Sequence, residues 1–307
     1  MIMNVKGMIF NMRSRNKVKK SREDKIFNVI IYTFLTLIAI ICVYPLLYVL
    51  SMSISDSTQI ALNPVLLLPK GFSLQAMGML FENPSIWRSY GNTILYTVAG
   101  TAINIALTVL LAYPLSVKTF GGRKVITAVV TFTMLFSGGM VPTYMLINSI
   151  GLYNTRWAML LPMAVSVFNT IIARSYFSSL PEALAESAKI DGANDFVILF
   201  KIILPVSKAI ISTLVIYYAV EHWNSYMNAL LYLPDSTKHP LQMFLVKILI
   251  NNDPALLAGQ EMGVDRLFLG DQLKYCCIVV ATLPILCIYP FFQKHFTQGV
   301  MVGSLKG

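Results

Sequence analysis

Residues 26–50 carry no charged side chain, and a helix of that length outspans the ~30 Å hydrocarbon layer of a bilayer at ~1.5 Å per residue. No other feature constrains the fold as strongly. Inside lipid every backbone N–H and C=O must be satisfied within the protein, which leaves helices or closed barrels. Further apolar runs at 92–115, 125–147, 157–177, 205–231 and 272–292 are too long for barrel strands, which need only about ten residues. The sequence therefore predicts an all-α polytopic membrane protein with six transmembrane helices. At 56% hydrophobic and 12% charged residues, with a mean hydropathy of +0.66, the chain of 307 residues is too apolar for a water-soluble domain.

The formal charge of +10 could suggest nucleic acid, but in a membrane protein a basic excess first reports orientation. Lys and Arg concentrate in residues 1–25, in the turn at Lys118, Arg123 and Lys124, around residues 180–205, and in the tail at 293–307. These segments all lie on one side of a six-span topology, whereas the acids divide nearly evenly. The positive-inside rule then places both termini in the cytoplasm, with residues 1–25 as a basic arm and 26–292 as the membrane domain. The first apolar run is too long for a cleavable signal peptide and lacks a small-residue cleavage pattern, so it is expected to stay attached.

Breakers divide the rest. Asn63-Pro64, Pro69-Lys70-Gly71 and Asn83-Pro84 rule out a continuous helix between the first two spans. Thr93, Thr97, Thr101, Asn104 and Thr108 recur at helical spacing along the second span and predict a face turned to protein or water. Ser137-Gly138-Gly139 and Pro142 predict a kink or break in the third. A long outer segment at 232–271, punctuated by Pro234, His239-Pro240 and Asn251-Asn252-Asp253-Pro254, is expected to pack as short pieces outside the membrane.

The most polar stretch between spans runs from Leu180 to Pro205. Pro181 suits a first helical position, and Glu182 and Glu186 lie near the positive end of the helix dipole. Ala183, Ala185 and Ala188 keep the helix slim for close approach by another protein. Gly192, beside Asp191, tolerates the left-handed conformation that ends a helix. Asn194 or Asp195 can cap a second short helix, and Pro205 stands at the start of the fifth span.

This pattern, Glu182-Ala183, then Ile190-Asp191-Gly192-Ala193, then Ile203-Leu204-Pro205, resembles the cytoplasmic coupling motif of ABC importer permeases. With six spans, Trp223-Asn224-Ser225-Tyr226 and a Gly303-Ser304-Leu305-Lys306-Gly307 tail, the chain resembles the maltose-type carbohydrate-uptake branch, in particular the second permease of a pair importing complex oligosaccharides. Many relatives have Glu-Ala-Ala, whereas Leu184 follows Ala183 here, which changes the packing at that site. The resemblance implies a coupling role for Glu182, Ala183, Glu186, Asp191, Gly192 and Pro205. It also implies a second homologous permease, two ATPase subunits that bind ATP and Mg, an extracytoplasmic solute-binding protein, and a prokaryotic cell membrane.

No Gly-x-x-x-x-Gly-Lys-Ser/Thr loop occurs, and Gly121-Gly122-Arg123-Lys124 is a basic turn, so no cofactor is expected in this chain. Cys42, Cys276, Cys277 and Cys287 all fall in apolar spans and indicate no disulfide framework. His222, His239 and His295 lack metal-ligand spacing, so no metal site is expected. The spans offer no paired carboxylates and no Gly-x-Ser-x-Gly elbow, which argues against catalytic residues and a membrane-embedded enzyme. A channel would have no use for a coupling plug.

The spans do offer amides, hydroxyls and aromatics suited to a neutral polyhydroxylated ligand: Asn104, Tyr144, Asn148, Asn169, Tyr217, Trp223, Asn224 and Tyr226. Helix packing explains such residues equally well, and importers of amino acids, polyamines or phosphate remain the alternative within the class. Glu221, roughly 24 Å beyond Pro205 along a straight helix, is expected to face the pathway or a protein contact rather than lipid.

Overall fold

The computed structural model describes residues 21–62, 67–251, 272–288 and 290. The basic arm up to Lys20, Asn63-Pro64, residues 252–271, His295 and the tail lie outside the described residues. Among the described residues the chain is helical, and its single β-bridge joins Ser55 to Phe72.

Helix α1 (Arg22–Ser53) begins earlier than the apolar run. The Ser21 hydroxyl accepts from the Glu23 N–H at 3.3 Å, and the Asp24 carboxylate accepts from the Ser21 N–H at 3.0 Å, forming a capping box that draws Arg22 and Lys25 into the helix. Only Ser51, Met52 and Ser53 of α1 are buried, so the helix stands apart from the rest of the fold. Short helices α2 (Ser57–Leu62) and α3 (Gln75–Glu82) follow.

Helix α4 (Pro84–Ser116) also starts before its expected boundary at residue 92. Asn83 caps it by accepting from the Ser85 N–H at 2.9 Å, and Pro84 takes a position that needs no donor. The central helix of the fold, it buries Thr93, Gly100, Thr101, Asn104 and Thr108 on one face, in line with the expected spacing. Its last turn leaves the Leu115 carbonyl for the Arg174 Nε at 3.0 Å, a cation at a helix C-terminus.

The predicted break in the third run falls at residues 136–139, where α5 (Arg123–Leu135) and α6 (Met140–Ser149) bend by 115°. Gly139 takes φ +84°, a conformation open to glycine. The fourth run is a correction. It was expected to be continuous, but Pro162 lacks the N–H that would extend α7 (Trp157–Leu160), and the chain unwinds over 161–166 before α8 (Val167–Ser179).

A second bend lies beyond the polar connector. Helix α10 (Asp195–Val206) meets α11 (Lys208–Trp223) at 85°, with Ser207 at the corner. Pro205 cannot donate to the carbonyl four residues back, and the ladder slips to a π turn over Leu199–Ile203, closed by the Leu204 N–H on the Leu199 carbonyl. The fifth straight segment therefore starts at Lys208 rather than Pro205. It stops at Trp223 rather than near residue 231, with Asn224 at its end and α12 (Met227–Tyr232) after it.

A 3₁₀ turn (Ser236–Lys238) and α13 (Leu241–Asn251) follow α12, and α14 (Gln272–Ile288) packs back on the fold. Pro284 leaves the Val280 carbonyl of α14 without its helical donor. The Tyr90 hydroxyl donates to that carbonyl, and the Trp223 indole N–H donates to Ala281 at 3.1 Å. By length and composition α1 and α4 can each cross a membrane, as can the bent pairs α5/α6 and α10/α11 if each counts as one span.

Two main clusters hold the described residues together. The first joins α3, α4, α13 and α14 around Ile86, Trp223, Phe244 and Cys277. The second joins the C-terminal half of α4 to α8, α10 and α11 around Val109, Phe177, Ile198 and Leu214. Cys276 and Cys277 are buried free thiols in the first cluster, whereas Cys42 and Cys287, expected as core residues too, are exposed because α1 and the end of α14 present those faces to the surroundings.

Candidate functional site

Within the polar connector, α9 (Ala183–Ile190) begins two residues later than Pro181. The Pro181 and Glu182 carbonyls accept from Leu184 and Ala185, so both residues form the turn leading into the helix. Gly192 ends it at φ +80°, and the Ala193 N–H reaches back to the Ala188 carbonyl at 2.9 Å in a Schellman closure. Asn194 caps α10 by accepting from the Val197 N–H at 2.9 Å. The result is a helix, a left-handed glycine and a second helix, as the spacing predicts.

The alanines divide differently from the expectation. Ala188 is buried, and Ala185 and Ala193 are half-buried against the second core cluster, so this face of α9 packs on the protein itself; only Ala183 is exposed. The exposed apolar groups are larger: Ile190 is 86% exposed, and Phe196 and Phe200 lie one turn apart on α10 at 68% and 54%. Sequence reasoning missed these three, although apolar residues flanking Asp191 and Asp195 in an otherwise polar connector were the available signal.

Charge joins the connector to the turn after α4. Glu182 pairs with Lys118 at 2.6 Å, with the two side chains 63% and 74% exposed, while within the connector Lys189 of α9 pairs with Asp195 of α10 at 3.4 Å. A cavity of about 340 Å³ opens behind α9, rimmed by Lys118, Arg123, Glu182, Glu186 and Lys189. Glu186, Asp191 and Pro205 are exposed.

The residues expected along a pathway do not converge on one surface. Asn104 is fully buried, donating to the Met163 carbonyl at 2.6 Å and bonding His222 Nε2 at 3.2 Å. Asn169 and Trp223 are also buried, and Trp223 meets Tyr90 edge-on. Tyr144 stacks on Tyr232 with ring centroids 6.1 Å apart, and Tyr217 is half-buried. In this conformation Asn104, Trp223 and Tyr144 hold elements of the fold together. Asn148, Glu221, Asn224 and Tyr226 are exposed, and Asn224 accepts from Gln242 at 3.4 Å. The bend at Ser207 also means that Glu221 and Pro205 do not lie along one straight helix.

The segment that follows α12 is tied down by polar groups. Asn92 donates to the Thr237 and His239 carbonyls at 2.8 and 3.1 Å, and the Thr93 hydroxyl accepts from the Leu241 N–H at 2.7 Å. The Tyr96 hydroxyl donates to the Lys238 carbonyl at 2.8 Å. Hydrogen bonds from the Thr237 hydroxyl and N–H hold the Asp235 carboxyl at about 2. Burial pushes the His239 imidazole below its ordinary value; its Nε2 sits 2.8 Å from the Leu233 carbonyl and its Nδ1 3.1 Å from Lys247. Among the described residues no cluster of His, Cys, Asp and Glu could hold a metal.

Residues 110–302 match the family described as "binding-protein-dependent transport system inner membrane component". The chain is 42% identical, over 93% of its length and all of the relative's, to the polygalacturonan/rhamnogalacturonan transport system permease protein of Bacillus subtilis. It is 28% identical, over 88% of its length and 93% of the relative's, to an arabinooligosaccharides transport system permease protein of Halalkalibacterium halodurans. Among solved structures, a bacterial ABC transporter that imports the acidic polysaccharide alginate superposes with a TM-score of 0.82 at 32% identity, covering 90% of this chain and 99% of that one. On this fold and these identities, the chain belongs to the family of binding-protein-dependent transport system inner membrane components and is a permease, not an enzyme.

Proposed function

We propose that the protein is one of two homologous permeases of an oligosaccharide importer. Six spans are formed by α1, α4, the α5/α6 pair, α7 with α8, the α10/α11 pair and α14, and both termini face the cytoplasm. Two ATPase subunits, which bind ATP and Mg, dock against α9 and α10. A solute-binding protein delivers the sugar from outside. The observation that carries this reading is the 42% identity to a polygalacturonan/rhamnogalacturonan permease across 93% of the chain.

The connector supports the coupling assignment. Glu182, Ala183, Glu186, Asp191 and Gly192 lie at its surface, while Pro205 sits next to the 85° bend that joins it to α11. Movement of a docked helix would reach α11 through that corner, since packed helices shift as bodies rather than deforming continuously. Exposed Asn148, Glu221, Asn224 and Tyr226 are the assigned pathway contacts of this chain. Asn104, Tyr144, Asn169, Tyr217 and Trp223 contribute there only after a rearrangement.

Oligosaccharides with carboxylate groups are the first substrates to test, because a structural relative imports an acidic polysaccharide, and neutral arabino-oligosaccharides are the comparison. Uptake of labelled galacturonate, alginate and arabinose oligomers would be measured in proteoliposomes containing this permease, its genomic partner permease, the ATPase and the binding protein. ATP-dependent uptake of at least one oligomer is expected. Transport of none of them, alongside uptake of an amino acid or another non-sugar solute, would overturn the sugar assignment.

A further inference from the structure

The contact between α4 and α11 has an unusual composition. The His222 imidazole, 2% exposed, lies directly over Gly100: a Cβ added there would stand 2.3 Å from His222 Nε2 and 2.4 Å from Cε1. The same Nε2 bonds the Asn104 side chain at 3.2 Å, and the Asn104 amide donates to the Met163 carbonyl at 2.6 Å, inside the unwound stretch after Pro162. One layer along, Thr108 and the Tyr218 hydroxyl are 2.6 Å apart, and that hydroxyl accepts from the Ser166 N–H at 3.4 Å, the other end of the same stretch.

These contacts are poorly suited to stability alone. His222 Nδ1 and the hydroxyls of Thr97 and Thr101 are buried with no hydrogen-bond partner among the described residues, and each such group is left desolvated without compensation. An apolar packing of equal volume would be more stable. Polar groups at this contact instead fix one register between helices that lipid-driven packing would let slide.

We propose that Gly100, Asn104 and His222 are positioning residues. They lock α4, α11 and the interrupted fourth run into one moving body, so that displacement of the connector at the cytoplasmic end arrives intact at Glu221 and Asn224. The inference rests on the transport reading above, because it assigns what the lock transmits. Gly100 supplies the hollow, His222 fills it, and Asn104 ties both to the carbonyl that the Pro162 break exposes. Neither α4 nor α11 can then rotate against the other without lifting the imidazole out of its hollow.

The test compares Gly100→Ala, His222→Ala, the double variant and His222→Gln in the assembled importer, with uptake and ATP hydrolysis measured per complex. The expected result is that Gly100→Ala lowers sugar moved per ATP by at least about twofold, with hydrolysis and half-saturating sugar unchanged. The double variant recovers to the milder His222→Ala level, because removing the ring vacates the space that the new methyl needs. His222→Gln, which still reaches Asn104, stays near wild type.

Uptake and hydrolysis falling in proportion, or a double variant no better than Gly100→Ala, would overturn the lock. Hydrogen exchange on the same complexes reads it without any sugar. Residues 161–166 should exchange faster in Gly100→Ala and slow again in the double variant, whereas unchanged exchange in every variant overturns the proposal. Failure of the wild-type complex to take up any oligosaccharide, with these exchange differences present, would sink the transport reading while leaving the lock standing.

Discussion

The two ends of α4 are fastened by different chemistry. At its N-terminal end Asn92, Thr93 and Tyr96 form buried or half-buried hydrogen bonds to residues 237–241, and the Trp223 indole bonds α14. Just past its C-terminal end the link to the connector is the Lys118–Glu182 ion pair, more than half exposed to solvent, laid over an apolar contact through Ala188 and Ile198. Buried hydrogen bonds resist exchange of partners, because opening one strands a polar group away from water. Exposed ion pairs exchange with water, salt or another protein at little cost. The hydrogen bonds at one end are thus costly to open, and the ion pair at the other is not.

Removing the largest buried group should show the difference most strongly. Trp223→Ala removes a buried indole that fills the first core cluster and bonds the α14 backbone, and a loss of about 3 kcal/mol or more is expected. Thermal unfolding of the purified complex would measure it. Glu221→Gln, two residues away on an exposed face, should leave assembly intact and alter uptake only. Equal stability losses in both variants would erase the distinction between buried and exposed positions of α11.

Next in size is Asn92→Leu, which removes two donors and leaves the Thr237 and His239 carbonyls to find other partners. Interhelical hydrogen bonds in membrane proteins average about 0.6 kcal/mol and reach ~1.7, so a loss on the order of 1 kcal/mol is expected. Limited proteolysis should locate it between residues 233 and 251. Wild-type resistance there would show that the apolar contacts of α13 hold the segment unaided.

Gly192→Val probes the other end. A β-branched residue at φ +80° costs roughly 1 kcal/mol, while an added Cβ meets nothing within 4 Å, so strain acts here without a clash. Membrane insertion should be normal and uptake reduced, with the angle between α9 and α10 altered. Normal substrate-stimulated ATP hydrolysis and uptake in reconstituted complexes would show that the connector tolerates a changed closure.

How far the fold was legible follows the range of the forces involved. Asn83-Pro84, Gly192 and Asn194 act on adjacent backbone, and each appears where its chemistry predicts. Breaks inside apolar runs were read unevenly: Ser137-Gly138-Gly139 announced one, while Pro162 and the end of α11 at Asn224 lay within runs whose hydropathy alone suggested continuous spans. The site was legible as a connector but not as a surface. Which face of α9 packs inward depends on Val109, Phe177 and Ile198, distant in sequence, and the pairing of His222 with Gly100 spans over a hundred residues. By sequence the polar residues in the spans suit lining and helix packing equally, and several of them serve as helix contacts in this conformation.

The smallest effect is expected at Lys118. Its pair with Glu182 has good geometry at 2.6 Å, which invites the reading that it holds the connector in place. Both side chains are mostly in solvent, where such a pair contributes under about 1 kcal/mol and salt screens what remains. The connector is held instead by Ala188, Ile198, Leu199 and Ile203 in the second core cluster. Lys118→Ala should therefore leave unfolding and its salt dependence almost unchanged while freeing Glu182 for a partner. If docking of the ATPase recruits that carboxylate, the variant should bind the ATPase as well as wild type or better, whereas Glu182→Gln should bind less tightly. A clear drop in stability on Lys118→Ala, restored by Lys118→Arg, would mean that the C-terminal end of α4 is fastened as firmly as the N-terminal one and that the contrast between them is wrong.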